Sequence, residues 1–219
     1  MTENADNEAF RPAFFCRVFV FSPERREITV MKNSQQKVIN TAIRAMLTAL
    51  SVVSLYVIRF PLIPAAPFLE YDAADIPVLI GSMLLGPVSG IVVLLAVCII
   101  QAFTVSASSG IIGFFMHFIA STVLVLTASC IYKRKKPTAS LVAGLVIGSI
   151  AMTIVMIPLN LVFTGIFMGA GTQTVVGMLI PAIIPFNLLK AGINSAVTFA
   201  VFLPISKVLK KYIKGSEKE

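Results

Sequence analysis

A chain of 219 residues that is 57% hydrophobic and only 13% charged is too apolar for a water-soluble domain, in which roughly half the residues are apolar. Its net charge of +8 comes from Lys and Arg at the ends of apolar runs, not along an aromatic-interleaved face, and this excludes a nucleic-acid surface. The chain reads as an all-α integral membrane protein with six transmembrane helices.

Residues 1–30 lack the apolar core and small-residue cleavage site of a signal peptide. They are expected to form a poorly ordered extension, either a mis-assigned upstream start with translation from Met31 or a cytoplasmic tail. The membrane domain is expected over 31–214, with a charged cytoplasmic tail at 215–219. The first helix runs from about Val38 to Phe60, with Arg44 near its inner end able to snorkel towards water, and stops at Pro61 and Pro64. Ala42, Ala45 and Ala49 make a small-residue stripe on it, suited to close helix contact with a partner.

Between Met31 and Ser216 every acid lies in the next stretch, as Glu70, Asp72 and Asp75. Asp75 stands where an N-cap belongs, ahead of Pro77 in a short second helix, Ile76 to Leu85. Gly86 and Pro87 break the chain before a third helix, Val88 to about Phe103. SASSG at 106–110 forms a turn, and a fourth helix, Ile111 to Tyr132, ends in the basic run 133–136. The fifth covers Ala139 to about Phe167. A polar glycine-rich loop is predicted from Gly169 to Gly177, and the last helix from near Met178 exits through Lys207, Lys210, Lys211 and Lys214. Basic clusters after helices four and six, with the acidic loop on the opposite side, place both termini in the cytoplasm by the positive-inside rule.

Polar groups inside apolar helices are costly and therefore informative. They are Gln101, His117, Asn160, Asn187, Lys190 and Asn194. Asn187, Lys190 and Asn194 are three and four apart and share a helix face. With Gln101, Asn160 and the acidic loop they converge on the outer level, which describes a pocket open to the outside. Phe68, Leu69 and Tyr71 are expected to line its lid. Asp72 is either a partner of Lys190 or a solvated charge, and Lys190 could equally pair with Asp75. Asn160 and Asn187 could serve as interhelical glue. His117 reads as a packed residue with no intramembrane carboxylate to partner it. Catalytic constellations, metal-ligand clusters and phosphate-binding loops are absent, so no enzyme activity, cofactor or metal is expected.

Taken together, FLEYDAADIPVLIGSMLLGP at Phe68 to Pro87, GSIAMTIVMIPLN ending at Asn160, IPFNLLKAGINS at Ile184 to Ser195 and the Ala45–Ala49 pair resemble the S components of energy-coupling factor (ECF) vitamin transporters, most closely the riboflavin-specific branch. The resemblance implies a six-helix protein that holds its vitamin in an outward-facing pocket and has no catalysis of its own. It also implies a transmembrane coupling protein, docked through the alanine stripe, two cytoplasmic ATPase subunits, and riboflavin as transported substrate rather than cofactor. Asn160, Asn187 and Lys190 match the two asparagines and the lysine that hydrogen-bond the flavin in that branch. At Leu94, Val97 and Cys98 the chain departs from the Glu and Lys-Asn pair common on helix three of riboflavin-type members, which leaves another vitamin or a flavin relative as an alternative substrate. A self-sufficient secondary transporter is the competing class, although the two halves show no inverted-repeat similarity.

Overall fold

The structure, a computed structural model, describes residues 29–216 except 65, 68, 107, 108, 133–136 and 170. Most of the expected 1–30 extension, the basic run after helix four and the last three residues lie outside the described residues. The six predicted helices are present. They are α1 (Thr29–Val57), α2 (Asp75–Leu85), α3 (Pro87–Phe103), α4 (Gly110–Ile131), α5 (Pro137–Leu159), which continues through a π turn (Asn160–Thr164) into α6 (Gly165–Met168), and a last helix. That last one starts as α7 (Thr172–Met178), passes a second π turn (Leu179–Ile183) and runs on as α8 (Ile184–Ser216).

Four continuous helical stretches, Lys37–Val57, Gly110–Ile131, Thr138–Met168 and Thr172–Ser206, are long and apolar enough to cross a bilayer, while α2 and α3 are shorter. The chain is a multi-pass membrane protein.

Prolines account for the interruptions. Pro158 has no N–H for the carbonyl one turn back, and the first π turn opens directly after it. Pro181 lies inside the second π turn and Pro185 just beyond it. Gly86, at φ 96°, makes the break between α2 and α3 in a conformation that disfavours any other residue. The region from Gly169 to Gly177, predicted as a loop, is mostly the helix α7. Its threonines and glutamine are exposed, and Val175 is buried in a small cluster with Ala66, Leu69, Ala182, Ile183 and Phe186.

The first helix ends at Val57 rather than Phe60, and its predicted last residues join the stretch predicted as a plain loop in a small antiparallel ribbon, β1 (Arg59–Pro61) with β2 (Glu70–Asp72), in which Arg59 faces Asp72, Phe60 faces Tyr71 and Pro61 faces Glu70. Its connecting segment packs Ala66 and Leu69 against Val175, Ala182, Ile183 and Phe186, so the ribbon is seated on the start of the last helix. The larger core is built from Leu79, Leu94, Val97, Leu124, Leu141 and Phe202, all nearly inaccessible.

In the bundle, α5 packs on α4 and α8, α3 on α4, and α2 on α1 and α3. Close approach of α4 and α5 depends on Gly144, where a Cβ would stand 2.8 Å from the Ala128 carbonyl oxygen. Ser149 Oγ and Ser195 Oγ, 3.0 Å apart, join α5 to α8. Arg44 is engaged within the bundle instead of simply reaching for water, since its Nη2 donates to Ser89 Oγ of α3 at 2.9 Å.

Candidate functional site

The ribbon, four helices and the turn between α3 and α4 enclose a cavity of about 170 Å³. One side is the ribbon, with Arg59, Leu69, Glu70 and Asp72. Opposite stand Gln101 of α3, Ser106 and Ser109 of the turn, and Met116 and His117 of α4. Met152 and Met156 of α5 and Phe186 of α8 form an apolar band, and Asn187 and Lys190 of α8 complete the wall. Of the residues expected at the site, Leu69, Asp72, Gln101, Asn187 and Lys190 meet here.

Lys190 is buried, and its Nζ donates to Asp72 Oδ2 at 2.7 Å. Asp72 is therefore a partner of Lys190, and the solvated alternative is set aside. A lysine at the centre of a membrane helix costs about 2.5–3.5 kcal/mol on insertion scales, and a buried charge is tolerated when it is paired and hydrogen-bonded.

A second polar layer backs this pair. The Tyr71 hydroxyl donates to Asn194 Oδ1 at 2.8 Å. Asn194 Nδ2 in turn reaches the Asp72 carbonyl at 3.4 Å and Asp75 Oδ2 at 3.5 Å. Tyr71 thus sits buried behind the cavity, with its ring 5.3 Å from that of Phe60. Burial, with the negative charge of Asp72 beside it, pushes its phenol above the ordinary tyrosine range.

Two expectations are corrected. Asp75 does not cap α2. Ala74 holds the N-cap position without a side-chain bond, and the Ala74 amide is taken by Asp72 Oδ1 at 3.3 Å. Asp75 turns inward instead, wholly buried, and its Oδ1 stands 3.4 Å from His117 Nε2. His117 therefore has a carboxylate partner, supplied by the first residue of α2, although the contact lacks hydrogen-bond alignment.

Asn160 opens the π turn and does not line the cavity. Its Nδ2 donates to the Met156 carbonyl and its Oδ1 accepts from Thr164 Oγ1, each at 2.8 Å. Phe68 lies outside the described residues. Leu94, Val97 and Cys98, where the sequence departs from riboflavin-type members, are buried in the main core and do not line the cavity.

The sequence-based reading missed Arg59 and the serines of the turn. Arg59 pairs with Glu70 across the ribbon, a relation that follows only once the strands are known. Besides His117 Nε2, which faces Asp75, three cavity-lining side chains present buried polar atoms without a hydrogen-bond partner: Arg59 Nη1, Gln101 Oε1 and Asn187 Oδ1. Leaving such an atom unsatisfied costs about 1–3 kcal/mol, and three at one cavity can each take a hydrogen bond from or give one to a polar group placed there. Among the described residues no cluster of histidine, cysteine and acid could hold a metal ion.

Comparison with known proteins places the chain among transporters of one family. The riboflavin transporter RibU of Staphylococcus aureus (strain TCH60) is 32% identical over 193 residues, spanning 85% of this chain and 98% of that protein. The riboflavin transporter RibU of Streptococcus thermophilus is 32% identical over 175 residues, 76% of this chain and 82% of its own length. The riboflavin transporter FmnP of Bacillus subtilis (strain 168) is 26% identical over 180 residues, 77% of this chain and 93% of its own. A solved structure, described as the S component of a bacterial ECF transporter, superposes with a TM-score of 0.69 at 34% identity, covering 80% of this chain and 99% of that one. The family model described as ECF transporter, substrate-specific component, matches residues 40–202, and the chain belongs to that family.

Proposed function

We propose that this S component binds riboflavin in the cavity beneath the ribbon and hands it inward as part of an ATP-driven importer. The observation that carries the reading is the ring of unsatisfied polar atoms around an apolar band, in a chain whose relatives are named riboflavin transporters. An aromatic ring system with a hydrogen-bonding edge needs this combination of apolar faces and convergent polar groups. Asn187, Lys190, Gln101 and Leu69 make the contacts, with Asp72 fixing Lys190 and with Tyr71 and Asn160 supporting from behind. The core placement of Leu94, Val97 and Cys98 removes the reason to favour a different vitamin.

At about 170 Å³ the cavity is smaller than the roughly 300–1,000 Å³ of sites that enclose drug-sized ligands. Entry of a flavin therefore requires a wall to give.

The coupling role falls to α1. Ala42, Ala45 and Ala49 are exposed along it, beside the exposed Met46, Leu50 and Val53, which suits docking on a transmembrane coupling protein served by two ATPase subunits. Both termini lie in the cytoplasm in this reading, and the mouth of the cavity faces outside.

Titration of the purified chain with riboflavin tests the reading. Flavin emission should quench saturably with one site per chain, and because the chain has no tryptophan the signal is the ligand's own. Unquenched emission at micromolar flavin and protein would overturn it.

A further inference from the structure

A second hollow lies on an outer face of the bundle, apart from the cavity. It is a groove of about 450 Å³ between α5 and α8, inside the two stretches Thr138–Met168 and Thr172–Ser206 that are long enough to cross a bilayer. Val142, Val146 and Ile150 of α5 and Leu188 of α8 are exposed along it. Gly192 is exposed in the lining too, and a Cβ there would meet no atom within 4 Å. From Leu188 to Phe199 the groove follows α8 for about 16 Å at the helical rise, roughly half the hydrocarbon thickness of a bilayer.

The lining calls for no polar ligand. Its two hydroxyls are spent on the helices themselves, since Ser149 Oγ donates to the Leu145 carbonyl at 2.8 Å and stands 3.0 Å from Ser195 Oγ. The other lining residues are aliphatic, aromatic or glycine. A hydrocarbon chain fits such a slot, but lipid tails are as apolar as the groove, so burial alone selects nothing. Selection has to come from packing and from the headgroup.

Charge names the headgroup. Lys133, Arg134, Lys135 and Lys136 immediately precede α5, and Lys207, Lys210, Lys211 and Lys214 lie on the last turns of α8. The two helices are arms of one hairpin, turned between Met168 and Thr172 and joined by Ser149 and Ser195, so both basic sets belong to the same end of the pair. A second copy lying alongside in the same orientation would bring like charges against these and be repelled. The coupling partner is assigned to α1, which packs on α2 and α3, whereas the groove belongs to α5 and α8. Anionic headgroups are drawn to basic clusters at helix ends.

We propose that the α5–α8 groove is a lipid site. One acyl chain of an anionic phospholipid lies along it, and the headgroup phosphate is held at the basic end of the hairpin. The site is independent of the cavity and of the riboflavin reading.

Native mass spectrometry of the full chain in detergent, titrated with dioleoyl phosphatidylglycerol or dioleoyl phosphatidylcholine, reads occupancy without any flavin. The two lipids share their chains and differ in headgroup charge. Wild type is expected to retain one phosphatidylglycerol per chain, about tenfold more tightly than phosphatidylcholine. Gly192→Phe fills the groove and should weaken both lipids by about tenfold. Ala196→Leu, also in the lining, gives the same reading if the first variant fails to fold. Lys210→Gln with Lys211→Gln should remove the preference and keep the weaker, chain-dependent binding. Val92→Phe, which adds bulk at an exposed position of α3, should change retention by less than about twofold. Undiminished phosphatidylglycerol binding in Gly192→Phe, or an equal loss in Val92→Phe, would overturn the site. Equal affinity of wild type for the two lipids, or a preference untouched by the lysine changes, would overturn the anionic headgroup. A wild-type dimer that Gly192→Phe converts to monomer would assign the groove to a second copy instead.

Discussion

Lys190 Nζ stands 2.7 Å from Asp72 Oδ2, so a cation in the last helix is locked to the strand that leads into α2. Removing one member of a buried pair costs about 3–5 kcal/mol, because the other charge is left uncompensated, whereas removing both can be nearly neutral. Lys190→Met alone should therefore lower the melting temperature and weaken flavin binding together. Adding Asp72→Asn should restore the melting temperature and leave binding weak. Thermal melts in detergent and flavin titrations check both. Wild-type affinity in the double variant would return Lys190 to a purely structural role.

Asn187 and Asn160 are both buried asparagines, yet their side chains are committed differently. Asn187 keeps Oδ1 unpartnered on the cavity wall, while Asn160 spends both ends along its own helix, on Met156 of α5 and Thr164 of the π turn. Asn187→Ala should cost binding by about tenfold or more, equivalent to about 1.4 kcal/mol, at near-normal stability. Asn160→Ala should act first on stability, because the amide bridges the Met156 carbonyl and Thr164. Comparing affinity and melting temperature for the two variants separates these routes.

The division between what the sequence discloses and what it conceals follows from physical range. Helix number, the Gly86–Pro87 break and the polar face of α8 were legible because apolar run length, proline and three-to-four spacing are local signals. The ribbon was not. RFP and EYD are three residues each, too short to show alternation, and their register is fixed by pairing across the connecting segment. The Asp75–His117 contact was hidden for another reason: sequence reports the depth of a residue in the membrane better than the direction it faces. The π turns left a trace in Pro158, Pro181 and Pro185, but a proline marks a disturbance without saying whether the helix bends or widens.

Tyr71 makes the ribbon sensitive to alkali. Its phenol is raised above 10.0, so the protonated form is favoured by the fold. The stability this supplies is fully present below about pH 10 and is lost as pH rises through the higher folded value. Tyr71→Phe leaves Asn194 Oδ1 without its donor and should cost about 1–3 kcal/mol. Melts from pH 8 to 11 should show a constant gap between wild type and variant up to about pH 10, narrowing above it. Taking the difference cancels the titration of the surface lysines. A gap that stays constant throughout would mean that the fold does not raise the Tyr71 phenol.

Ala45 and Ala49 lie on the exposed side of α1, away from the cavity-lining residues, so substitution there should separate docking from binding. A small residue lets a partner helix approach closely, and an indole in its place holds the helices apart. Ala45→Trp and Ala49→Trp should leave the melting temperature and riboflavin affinity of the isolated chain within about twofold. Docking on the coupling protein weakened by about 1.4 kcal/mol would lower complex formation about tenfold. Co-purification with the coupling subunits and riboflavin uptake in cells read this directly. Normal uptake by both variants would move the docking surface off the alanine stripe. Loss of flavin binding in the isolated chain would show that α1 supports the cavity rather than the complex.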